Sequence, residues 1–160
     1  MNNLHVFEMQ TGIFAVFWLL FSLYGLWKTR RTYEEKVAEA EKAIDNLISA
    51  TKLLPHPKIL PGLFVGVWIF CTMVDVIGVA LIFSVMNKVD WVVKILIVIL
   101  LLAAINGLHE LTGNLQAMDD EQHLRERLMS NINRYVMRIM TVESWTRFLL
   151  SVILLAAAYL

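Results

Sequence analysis

From Gly62 to Met86 the chain runs for 25 residues with one charged side chain, Asp75. About 20 predominantly apolar residues are enough for an α-helix to cross a bilayer. The chain holds three more runs of this kind, at about 11–27, 91–108 and 145–160. Between them the charges are gathered into blocks. Only 18% of all residues are charged, 58% are hydrophobic, and the mean hydropathy is +0.63. A soluble domain has about 25% charged residues, spread over its surface. The expectation is an all-α polytopic membrane protein: one membrane domain over residues 1–160, four transmembrane helices and two amphipathic cytoplasmic segments, in contact with a lipid bilayer.

The first run has no Lys or Arg before it and a basic cluster, Lys28, Arg30 and Arg31, after it. A secretory leader has the opposite order, so this run reads as a retained helix. Pro55, Pro57 and Pro61 mark the start of the second helix, since proline is tolerated only in a helix's first turn or before it. The short link Asn87-Lys88-Val89-Asp90 makes the second and third helices an antiparallel hairpin. The fourth run is short: 16 residues cover about 24 Å against a hydrocarbon core of about 30 Å. Continuing its helix back through Val142 supplies the missing turn; a re-entrant or interfacial segment is the alternative.

Orientation follows from the basic side chains. Of 14 Lys and Arg, seven lie between the first two helices and five (Arg125, Arg127, Arg134, Arg138 and Arg147) between the last two. Only Lys88 and Lys94 fall on the other side. The side with twelve is expected to be cytoplasmic, which places both termini outside and fits a bacterial inner membrane. Trp27 and Trp145 then sit at the inner interface, Trp91 and Tyr159 at the outer one, as an aromatic belt,.

Both cytoplasmic segments read as helical. In 32–54, Thr32 and Glu35 have capping-box spacing. Tyr33, Val37, Ala40, Ile44, Leu47 and Leu54 form one apolar stripe. A helix of about 23 residues spans roughly 35 Å, and the seven residues that follow reach about 23 Å at most. The segment is therefore expected to lie along the membrane or tilt against the second one, 109–142. There the third helix continues to Met118, and Asp119, Asp120 and Glu121 start a new helix with Leu124, Leu128, Ile132, Tyr135, Ile139 and Val142 on one stripe,. This helix is expected to run on into the fourth span.

Asp75 is the leading candidate for function, because a carboxylate at mid-membrane is costly and faces a bundle interior, water or a partner. Ser22 and Ser151 fall at similar depth and could donate to it; Thr72 lies one turn earlier. The plain alternative is a protonated acid in a helix–helix hydrogen bond. Asn106, His109 and Glu110 at the inner end of the third helix would extend a polar track from Asp75, although neighbours about 100° apart on a helix do not share one narrow path. Ordinary interfacial polarity explains them as well. Asp120 and His123 have the carboxylate–His spacing of di-iron bundles, but such sites need two pairs and only one is present, so no metal and no cofactor is expected,. Gly62 and Gly66, and Ala103 with Gly107, have the small-xxx-small spacing that brings membrane helices together,. Cys71 stands alone and excludes an intrachain disulfide,.

The formal net charge of zero argues against a nucleic-acid partner,. No phosphate-binding glycine loop, GxSxG, HExxH or paired catalytic carboxylates occur, so the chain is expected not to be an enzyme,. Two functions remain. One is a homo-oligomer forming or gating an ion or small-solute pathway around Asp75. The other is a non-catalytic anchor or sensor subunit that binds a cytoplasmic protein through its amphipathic helices.

Overall fold

The computed structural model describes residues 3–53, 59–86, 88–117, 121–130 and 134–159, nearly all of them helical. In chain order these residues form α1 (Asn3–Thr29), α2 (Tyr33–Leu53), α3 (Ile59–Val85), α4 (Trp91–Gln116), α5 (Glu121–Ser130) and α6 (Arg134–Tyr159). Four helices contain stretches long and apolar enough to cross a membrane: Val6–Thr29, Pro61–Val85, Trp91–Gln116 and Arg138–Tyr159. Their outward faces carry large apolar side chains, among them Ile13, Leu20, Val67 and Ile105, each more than 60% exposed. Water does not tolerate so extended an apolar surface and lipid does. The chain is an integral membrane protein.

Local chemistry sets the helix ends. At α2, the Thr32 amide donates to Glu35 Oε2 (2.9 Å) and the Glu35 amide donates to Thr32 Oγ1 (3.3 Å), a reciprocal capping box,. At α4, the Asp90 carboxylate accepts from the Trp91 amide at 2.6 Å,. The expected hairpin is present, with α3 and α4 packed side by side across the short link.

The fourth span crosses in full, as continuing its helix back through Val142 leads one to expect. The apolar stretch of α6 starts at Arg138 and covers 22 residues, about 33 Å at the α-helical rise, enough to cross. α6 is also the hub of the bundle: it packs most extensively on α1 and touches α3 and α4. α5 is described to Ser130 and α6 from Arg134, so the expected join between them falls outside the described residues. Leu124 and Leu128 join Ala117, Leu47 and Phe64 in a small cluster, whereas Val142 on α6 is exposed. Leu54, Asp119, Asp120 and Ile132 lie outside the described residues.

α1 and α6 run antiparallel, as their small residues show. A methyl group on Gly12 would lie 2.6 Å from the Tyr159 hydroxyl, and one on Gly25 would lie 2.9 Å from Ser144 Oγ. Ala15, Ser22 and Ser151 are buried in the same seam. Lipid provides no hydrophobic drive for helix association, so close backbone approach and dispersion do this work, and small residues permit it. The spacings singled out in the sequence lie elsewhere. A methyl on Gly62 or Gly66 would touch nothing within 4 Å, while one on Gly107 would meet Trp68 Nε1 at 3.2 Å. Ala103 is half-buried.

Candidate functional site

Asp75 is 5% exposed and held by two other helices. Arg147 of α6 grips its carboxylate, with Nε donating to Oδ1 and Oδ2 (2.9 and 3.0 Å) and Nη2 to Oδ2 (2.7 Å). The Trp18 indole of α1 donates to Oδ1 at 3.2 Å. Arg147 Nη2 also pairs with Glu143 Oε1, one turn back on its own helix, at 2.5 Å. The guanidinium carbon lies 5.8 Å from the centroid of the Phe21 ring, within reach of a cation–π attraction. One guanidinium therefore serves two carboxylates, and the cluster carries a formal charge of −1.

The sequence places this cluster where it is. Trp18 stands at the centre of its apolar stretch, twelve residues after Val6 and eleven before Thr29. Gly78 leaves room for its ring, since a methyl there would lie 2.5 Å from the six-membered ring. Because Gly25 faces Ser144 across the antiparallel seam, Arg147 stands near the level of Ser22 and reaches along the bundle to Asp75. Asp75 itself is two residues past the midpoint of Pro61–Val85. Burying a charge at that depth costs at least about 2.5–3.5 kcal/mol, and the bidentate pair with an added indole donor offsets that cost.

A cavity of about 400 Å³ approaches the cluster from one end of the bundle. It lies between α1, α2 and α6; Lys28, Thr29, Lys36 and Glu39 line it, with Glu143 and Arg147 among the α6 residues. Asp75 is not in its wall, so the cavity stops at the Arg147–Glu143 pair.

The other sequence candidates are arranged differently from the expected track. Ser22 and Ser151 are buried at 1% and 0%, but their hydroxyls donate to the carbonyls of Leu19 (2.7 Å) and Phe148 (2.8 Å) on their own helices. Inside a helix these carbonyls are the nearest acceptors, and Arg147 and Trp18 already occupy the carboxylate. Thr72 is half-buried one turn away. Glu110 faces Arg127 of α5 at 3.7 Å, His109 is exposed and Asn106 half-buried. No described contact joins these three to Asp75.

Trp18, Glu143 and Arg147 are the site residues that sequence reasoning missed. The signal was there: a buried acid calls for a cation, and Arg147 is the one basic residue inside the fourth apolar run. No family model matches the chain, and no curated protein or solved structure is similar to it.

Proposed function

We propose that the chain is a non-catalytic, homo-oligomeric membrane protein that forms or gates a pathway for small cations, with Asp75, Glu143 and Arg147 at its narrowest point. One observation carries this reading. A solvent-sized cavity leads from one end of the bundle to a mid-span cluster whose two carboxylates outnumber its single guanidinium. An ionisable group at that depth is a functional-site hypothesis in its own right once its partner is known. In the orientation set by the basic side chains, the cavity opens to the cytoplasm and both termini lie outside. With Arg147 on both acids the path is shut.

Purified chain in liposomes is expected to pass monovalent cations, and Asp75→Asn to lower that flux at least tenfold. The substitution takes the floor from −1 to neutral. Removing one charge about 6 Å from a passing ion, at an effective dielectric near 20, is worth roughly 3 kcal/mol. Unchanged flux in an intact Asp75→Asn oligomer would reduce the acid to a packing role. No flux from well-incorporated wild type would favour the second reading, an anchor or sensor subunit.

That second reading draws on the Gly62–Gly66 face of α3, where a methyl on either glycine would meet nothing within 4 Å among the described residues. The face also serves the first reading, as a seam between copies. Gly62→Leu with Gly66→Leu is expected to leave helical content and bundle stability within about 1 kcal/mol, because surface changes that touch nothing cost little. It is expected to convert the oligomer to monomer in light scattering after size-exclusion chromatography. An unchanged oligomer would place the seam on another face.

A further inference from the structure

The mouth of the cavity carries charge of the opposite sign to its floor. Lys28, in the last turn of α1, lies 5.4 Å over the Tyr24 ring, and Lys36 Nζ donates to the Thr29 carbonyl at 2.7 Å. Neither has a carboxylate partner among the described residues. Glu39, the one acid at the mouth, is already bound to Arg31 at 2.6 Å, and that guanidinium lies 4.9 Å over the Trp27 ring. With Glu39 engaged by Arg31 from outside the wall, Lys28 and Lys36 are left as the two ammonium groups without a carboxylate among the cavity's described lining residues.

Depth narrows the ligand. Tyr24 and Trp27 are more than half exposed beside this rim, and exposed aromatic residues at the end of a membrane helix mark the headgroup level. Two ammonium groups at that level, above a wall that includes Ala40, Ala43 and Met140, match a phosphate on an apolar tail. They do not match a neutral or cationic headgroup. We infer that the cavity between α1, α2 and α6 binds the phosphate of an anionic phospholipid through Lys28 and Lys36, with the lipid's apolar part against the α2–α6 wall. Binding does not depend on conduction.

The test is a lipid-competition measurement on the purified full chain in detergent micelles, using fluorescent phosphatidylglycerol as the probe. Wild type is expected to prefer phosphatidylglycerol over phosphatidylcholine. Each lysine near an anionic lipid is worth about 1 kcal/mol, so the preference is about thirtyfold for two. Lys28→Gln with Lys36→Gln is expected to abolish the preference. Lys88→Gln with Lys94→Gln, the same charge change at exposed positions elsewhere, is expected to keep it, as is Lys28→Arg with Lys36→Arg. Ala40→Phe, which fills the wall and leaves the charges, is expected to weaken phosphatidylglycerol binding at least fivefold in a protein of unchanged helicity. Equal preferences in the two Gln pairs would overturn the site. Full displacement of the probe by millimolar inorganic phosphate would overturn the lipid as the ligand and leave a free anion in its place.

Discussion

Arg147→Met will destabilise the bundle by about 3–5 kcal/mol, the range seen when one partner of a buried ion pair is removed. The loss arises less from the missing attraction than from what stays behind. Asp75, 5% exposed, keeps only the Trp18 indole, and a carboxylate with one donor at mid-membrane must lose its charge or draw in water. Glu143 suffers less, because it also lines the cavity and keeps access to solvent through it. Asp75→Leu alone will cost less than Arg147→Met, since it leaves Arg147 paired with Glu143 at 2.5 Å. The double variant Asp75→Leu with Arg147→Met removes both charges and fills the space with apolar atoms. It should recover to within about 1 kcal/mol of wild type, because hydrophobic replacement of a whole buried pair is often neutral or stabilising. Denaturant titration followed by far-UV circular dichroism in one detergent gives all four corners of the cycle. Additive losses would mean that the two side chains are not energetically coupled. Flux and stability should part company here: the double variant folds but conducts little, since a cation meets an apolar plug.

The cycle also shows where sequence reasoning reached and where it stopped. The four apolar runs and the capping box at Thr32 were legible because each depends on residues close together in the chain. Asp75 was legible because one acid in 25 apolar residues has no bland surface explanation. Arg147 was hidden by the same hydropathy logic. A basic residue two positions after Trp145 reads as the end of a loop, and with Glu143 behind it the loop seems to continue. In the folded chain those two charges neutralise each other on one helical face, α6 runs unbroken past them, and the span begins at Arg138. Charge pairing of this kind lengthens a transmembrane helix beyond what its apolar residues alone suggest. The α1–α6 seam was illegible for another reason. Gly12, Ala15, Ser22 and Gly25 do not repeat every four residues, whereas Gly62 and Gly66 do, yet a methyl on either of those two would meet nothing among the described residues. Antiparallel packing matches small residues on one helix to those on another, and that match has no trace in either segment alone. Ser22 and Ser151 donate to carbonyls of their own helices and not to Asp75, a choice of acceptor that counting residues along a span does not reveal.

Gly78 and Trp18 supply the other large effect, and it runs through volume where the first runs through charge. The Trp18 ring is fully buried and rests where a side chain on Gly78 would be, with the six-membered ring 2.5 Å from the nearest methyl position. Ring carbons at that distance must move. Gly78→Ala gains up to about 1 kcal/mol in helix propensity, yet overpacking of this kind costs about 1–3 kcal/mol, so a net loss is expected. Any shift of the ring also lengthens the 3.2 Å indole bond to Asp75, which couples this contact to the ion pair. Trp18→Ala empties the same space and should cost about 3–5 kcal/mol. Trp18→Phe keeps most of the volume and loses chiefly the donor, so about 1 kcal/mol is expected. The decisive variant is Gly78→Leu with Trp18→Ala. The leucine enters the space that the indole leaves, and the pair should be at least about 2 kcal/mol more stable than the sum of the single losses predicts. Thermal unfolding of the four proteins in one detergent measures this directly. A strictly additive double variant would mean that α1 and α3 do not meet through this contact, and that Asp75 is held by Arg147 alone.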